Sequence, residues 1–151
     1  VEAVETMARI LQHAEEAVAH EEFEDYFLGS TTINAITRVV ETTAREVGAK
    51  AVVALTKNGR NARMVSRHRI DIPILAISEN KMTTNQLLLS RNVRTLHVKK
   101  IKGLEDGIAQ AKKYLQSAKK CKKGDKIIVT GSHPFDNKAV RKTNLLLIEE
   151  I

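Results

Sequence analysis

Residues 51–63, AVVALTKNGRNAR, decide how the rest of the chain is read. Ala51, Val52, Val53, Ala54 and Leu55 form a near-continuous apolar run, the pattern of a central strand covered on both faces. Thr56 ends the run. Gly59 lets the backbone turn closely. The amides that follow open a helix and have no helical partner of their own, so they can face an anion with the positive end of the helix dipole behind them. Lys57 and Arg60 add charge, while Thr56, Asn58 and Asn61 add side-chain donors. The same residues also fit an ordinary strand-to-helix turn whose polar groups cap the helix and meet water. Spacing alone leaves both readings open.

Outward from this stretch, strand and helix patterns alternate. Upstream, Val1 to about Ala19 reads as a helix with Val4, Met7, Ala8, Leu11, Ala14 and Val18 on one face. Residues 20–30 form an acidic, aromatic connector punctuated by Gly29 and Ser30. Thr31 or Thr32 caps a helix to Val47 with Ile33, Ile36, Val39, Val40, Ala44 and Val47 as its buried stripe and Gly48 as its stop. Downstream, Ala62 to Arg69 is a short helix and Ile74 to Ile77 a strand after Pro73. Thr83 or Thr84 lies near the start of a helix through Leu89, followed by a strand from Val93 to Val98. Lys102 to Lys120 is a long helix with Ile108, Ala111 and Leu115 inward, and Lys126 to Thr130 and Leu145 to Ile148 are the last strands. This alternation predicts an α/β fold with a mostly parallel sheet and helices on both faces. Ligands of such sheets sit beyond the carboxyl ends of the strands. The loops that matter are therefore Thr56 to Asn61, and Gly131 to Asn144 with Gly131, Ser132, His133, Pro134, Asn137, Lys138, Arg141 and Lys142.

With 151 residues and 42% apolar content, the chain has enough material for one well-covered core and a short appended element. No apolar run approaches the ~20 residues of a membrane helix, and the amino-terminal pattern is acidic and amphipathic rather than that of a signal peptide; a cytoplasmic location without membrane partners is expected. No cap precedes Val1, as expected of a piece cut from a larger protein. Cys121 is the single cysteine, so an intrachain disulfide or cysteine metal cluster is excluded. The net charge of +7 is uneven: residues 1–30 carry eight acids against Arg9 alone, and the remainder carries 24 bases against ten acids. A basic body fits an anionic ligand, either a phosphorylated metabolite or nucleic acid. The lysines at 112, 113, 119, 120, 122, 123 and 126 have only Tyr114 as a nearby stacking ring, and aromatics make up 3% of the chain, so nucleic acid is not the expected partner.

Neither GxGxxG nor GxxxxGK[ST] occurs, which removes dinucleotide and Walker-type nucleotide chemistry. The histidines, at 13, 20, 68, 97 and 133, read as surface, helix-end or strand residues. His133 differs: beside Pro134 in the long loop, it can either reach a phosphate or cover the sheet end. No acid–base pair or metal-ligand spacing announces an active site.

Taken together, VEAVETMARI at the start, AVVALTKNGRNARMVSRHRIDIPILAIS, the later KKGDKIIVTGSHP and the closing KTNLLLIEEI resemble the pyruvate kinase family. The likeness covers nearly the whole chain. The TKxGRxAR loop, the SRHR helix end and the KKGD turn make it specific. The resemblance implies that residues 1–19 are the last helix of the catalytic barrel, 20–30 a connector and 31–151 the C-terminal effector-binding domain. That domain would be a three-layer α/β/α unit whose five-stranded sheet is mostly parallel with the last strand antiparallel. It would bind fructose bisphosphate, another sugar phosphate or AMP, and would help assemble a homotetramer. The barrel, which transfers phosphate from phosphoenolpyruvate to ADP with magnesium and potassium, would lie outside this chain, which on its own is expected to be inactive and to hold no cofactor.

Carried over by the resemblance, Thr56, Lys57, Asn58, Gly59, Arg60 and Asn61 fall on the effector phosphate loop, and Gly131, Ser132, His133 and Pro134 on the loop that closes over it. Asn58 and Asn61 replace small hydroxyl residues of animal-type members. The chain also lacks tryptophan and has Gly107 about where those members place an arginine for a second phosphate. A phosphate is thus expected in the first loop, with the rest of the ligand open. A stand-alone, non-catalytic phosphate-binding or scaffold module, and an enzyme in its own right, are the competing readings.

Overall fold

The computed structural model describes residues 1–17, 32–134 and 143–151. Ten elements follow in order: α1 (Glu2–Ala17), α2 (Thr32–Val47), β1 (Ala51–Leu55), α3 (Arg60–Arg67), β2 (Ile74–Ser78), α4 (Lys81–Leu87), β3 (Val93–His97), α5 (Leu104–Ser117), β4 (Lys126–Gly131) and β5 (Leu145–Glu150). The strands make one sheet in the order β3-β2-β1-β4-β5, parallel throughout except for the antiparallel β4–β5 pair. The predicted sheet and its central strand are present.

Alternation along each strand divides the core into two halves. Val52, Ala54, Ile74, Ala76 and Ile128 face one side, where they meet Val40 and Ala44 of α2, Ala62 and Val65 of α3, and Leu87 of α4. Ala51, Val53, Leu75, Ile77, Ile127 and Val129 face the other, under Ile108, Ala111 and Leu115 of α5. β1 is buried along its whole length because both faces carry helices and both edges carry strands. The outer strands β3 and β5 are only partly covered.

Several expectations change at the level of single elements. α3 starts at Arg60, two residues earlier than predicted, because Gly59 enters it from the left-handed region with φ 79°. α4 runs from Lys81 to Leu87, with Thr83 and Thr84 near its start as expected and its end two residues before the expected Leu89. Asn80 is its cap, accepting the amides of Met82 at 2.9 Å and Thr83 at 3.3 Å. Thr83 and Thr84 are buried inside the helix. Val39 is exposed on α2, where Asn34 and Thr37 share the buried face with Ile33, Val40 and Ala44. Thr37 enters without penalty because its hydroxyl donates to the carbonyl of Ile33 at 2.9 Å. Residue 1 precedes α1 and residue 17 ends its described part, and Val4, Met7 and Leu11 of the expected apolar stripe are exposed. Val18, the 20–30 connector, Thr31, Asn137, Lys138, Arg141 and Lys142 lie outside the described residues.

Candidate functional site

The order of the sheet locates the site. From β1 the chain moves through α3 and α4 to β2 and β3 on one side, then returns through α5 to β4 on the other side. The direction of winding therefore reverses between β1 and β4, and the crevice beyond their carboxyl ends is where an open α/β sheet takes a ligand. Ala54 is in register with Thr130, so the loops after Leu55 and Gly131 leave the sheet side by side.

The first loop is held from within. The amide of Thr56 continues the ladder to the Ile77 carbonyl at 3.0 Å, and its hydroxyl accepts the amide of Gly59 at 3.0 Å. The side chain of Asn58 accepts the amide of Arg60 at 3.2 Å. The carbonyl of Lys57 accepts the hydroxyls of Thr83 at 3.1 Å and Ser78 at 3.4 Å, which ties the loop to α4 and β2. The Asn58 carbonyl accepts the guanidinium Nη2 of Arg63 at 2.8 Å, and the Gly59 carbonyl takes the amide of Arg63 at 3.0 Å. Three successive carbonyls are thus occupied by protein donors. The amides of Asn61 and Ala62 have no partner among the described residues. Those two donors, at the positive end of α3, are what the loop offers a ligand. Lys57, Asn58 and Arg60 are exposed around them. Glu79, the acid at the nearby end of β2, is engaged by the amide of Ile101.

Gly59 serves this geometry twice. Its positive φ is one that L side chains adopt at a cost, and a Cβ there would lie 3.1 Å from Leu87 Cδ2 and 3.2 Å from Arg63 Nη1. Asn61 departs from its expected role as a side-chain donor to an anion. It is 4% exposed, and its Nδ2 donates to the Thr130 carbonyl at 3.0 Å, so the side chain fixes α3 against the end of β4. Its longer reach, compared with a small hydroxyl residue, makes that cross-link possible.

In the second loop Gly131 is buried, Ser132 is half-buried, and His133 and Pro134 are exposed. Asn144 pins the stem. Its Oδ1 accepts the His133 amide at 2.7 Å, its Nδ2 donates to the His133 carbonyl at 2.7 Å, and its own amide donates to the Gly131 carbonyl at 3.0 Å. All ten expected residues thus lie in the two loops that leave the same end of the sheet, with Thr56 turned onto the Gly59 amide, Asn58 onto the Arg60 amide and Asn61 onto the Thr130 carbonyl. Asn144, Ser78, Thr83 and Arg63 support the site without having been singled out. An Asn at the far end of a loop, and hydroxyl residues after β2, were the available signals. The other described histidines are elsewhere: His13 is exposed on α1, His68 caps the end of α3 and touches Thr37 at 3.3 Å, and His97 ends β3. Among the described residues no three His, Cys, Asp or Glu side chains form a group able to hold a metal, and no helix is long and apolar enough to cross a membrane.

Gly107 has a local reason to be small. α5 lies so close to β1 that a Cβ at this position would sit 2.9 Å from Leu55 Cδ1 and 3.3 Å from Ile101 Cγ2. A second cation for a bisphosphate does not come from there.

These features define a class: a three-layer α/β domain with a basic, amide-lined crevice at the reversal point of its sheet. Residues 34–149 match the family described as pyruvate kinase, alpha/beta domain. The chain is 29% identical over 153 residues to a pyruvate kinase of Eimeria tenella, covering 98% of this chain and 28% of that protein. It is 30% identical over 134 residues to one of Lactobacillus delbrueckii subsp. bulgaricus, covering 89% and 22%. The crystal structure of Cryptosporidium parvum pyruvate kinase superposes with a TM-score of 0.70 at 23% identity, over 94% of this chain and 25% of that one. The chain therefore belongs to the pyruvate kinase family and is its C-terminal alpha/beta domain. It spans less than a third of the length of these relatives.

Proposed function

We propose that this chain is the effector-binding and assembly region of a pyruvate kinase, with a phosphorylated metabolite held between the Thr56–Asn61 loop and the Gly131–Pro134 loop. The observation that carries the reading is the loop at β1: its carbonyls are consumed by Thr83, Ser78 and Arg63 while the amides of Asn61 and Ala62 stay open. An anion gains from such an arrangement because the carbonyls of Lys57, Asn58 and Gly59, which would repel it, are already taken by protein donors. Lys57 and Arg60 supply the charge, and Ser132 and His133 approach from the neighbouring loop.

In this reading residues 1–19 are the last helix of the catalytic barrel, 20–30 a connector and 31–151 the binding domain. The barrel, outside this chain, transfers phosphate from phosphoenolpyruvate to ADP, and magnesium and potassium belong to it. The effector acts by population shift: bound across both loops, it favours one subunit arrangement of a homotetramer. Fructose bisphosphate, ribose phosphate and AMP are the ligands to test. With Gly107 closed to a larger side chain, a single phosphate is the anchoring group. Titration calorimetry should give saturable heat with at least one of the three and none after Lys57→Glu, which sets like charge against the phosphate. Absence of heat from all three with the fold intact would sink the effector role.

A further inference from the structure

At the opposite end of the sheet lies a second concavity that the reading above does not use. A cleft of about 490 Å³ is lined by Gln116, Lys119, Lys120, Cys121, Lys122 and Asp125, where the end of α5 turns back toward β4. That volume is in the range of small-molecule sites. It lies at the amino ends of strands whose carboxyl ends hold the first site, about 17 Å away by strand length.

A lysine cluster after a helix usually neutralises the carboxyl-terminal carbonyls. Here the backbone already does so. The amide of Lys119, held in the left-handed region at φ 53°, bonds the Gln116 carbonyl at 2.9 Å, and those of Lys120 and Cys121 bond the Leu115 carbonyl at 2.9 and 3.2 Å. The single carboxylate of the cleft, Asp125, is turned onto the amide of Lys122 at 2.7 Å. Lys119, Lys120 and Lys122 have no carboxylate partner among the described residues. Lys112, by contrast, is spent on Glu149 at 2.8 Å. Three exposed lysines thus line one open cleft without a carboxylate partner among the described residues. Lysines are point charges on flexible stems, so such a site selects by charge count more than by fixed geometry.

We propose that this cleft is a second anion site, taking a small polyanion with two or more phosphate groups and acting independently of the crevice at the other end of the sheet. Inorganic tripolyphosphate is the probe. Calorimetry on the chain should show binding that weakens about tenfold or more when Lys119, Lys120 and Lys122 are all replaced by glutamine, and that survives when all three become arginine. The lysines are exposed, so both variants should keep the parent melting temperature. Lys57→Glu, which disables the first site, should leave in place the tripolyphosphate binding that the glutamine variant loses. Occupancy should also slow alkylation of Cys121 by iodoacetamide. Unchanged affinity in the glutamine variant, or loss of binding in Lys57→Glu instead, would overturn the proposal while leaving the first site untouched; no binding of tripolyphosphate at all would overturn it as well.

Discussion

Single residues carry the geometry of the crevice, and two of them separate binding from folding. Asn61 cross-links α3 to β4 through the Thr130 carbonyl. Replacing it with alanine removes that side-chain tie from the end of β4, so Asn61→Ala should cost about 0.5–1.5 kcal/mol in urea unfolding and weaken effector binding by loosening the two loops. Unchanged stability would mean that the cross-link is dispensable. Lys57→Glu makes the complementary case, since the side chain is exposed: binding should vanish with stability within about 0.5 kcal/mol of the parent. Cys121 gives a pH signature. Burial and, next, the Asp125 carboxylate raise its thiol pKa against an opposing pull from Lys50. A thiol held neutral in the fold stabilises it fully below the unfolded thiol pKa of about 8.5, and that contribution is lost as pH rises through the folded value. Stability should therefore fall above about pH 8.5, and the fall should flatten in Cys121→Ala.

At the scale of elements, the apolar runs made the strands legible because both faces of the sheet are covered. Ala51–Leu55 could be read directly, and Ile108, Ala111 and Leu115 marked the inner face of α5. Helix starts were harder, since they depend on caps rather than on periodicity. Asn80 caps α4 with a short side chain that reaches two amides, and Gly59 starts α3 early by entering it with positive φ. Asn80→Ala should cost about 1 kcal/mol, read from the unfolding midpoint. The polar residues on the buried face of α2 were not legible, because Thr37 is satisfied by its own helix. Gly107 shows the closest packing between layers. Gly107→Ala adds helix propensity worth about 1 kcal/mol yet drives a Cβ into Leu55, and overpacking of about 1–3 kcal/mol should win. The loss should be partly relieved in a Leu55→Ala background; equal losses in both would refute the clash.

For the whole molecule, the reversal of strand order between β1 and β4 is what brings the loops after Leu55 and Gly131 to one end of the sheet side by side. Sequence spacing could suggest a phosphate loop at residues 56–61, but it could not distinguish a binding loop from a capped turn. What favours the binding loop is the set of donors on the carbonyls of Lys57, Asn58 and Gly59, and those donors come from β2, α4 and α3. The direction of Asn61 was equally hidden, since nothing local signals a bond to a strand 69 residues away. Under the proposed function a phosphate occupies this crevice. A crystal structure of the chain with ribose phosphate or fructose bisphosphate tests it most directly. The phosphate should lie against the amides of Asn61 and Ala62, flanked by Lys57 and Arg60 and facing Ser132 and His133. A saturating ligand bound elsewhere, with this loop left to water, would contradict the account.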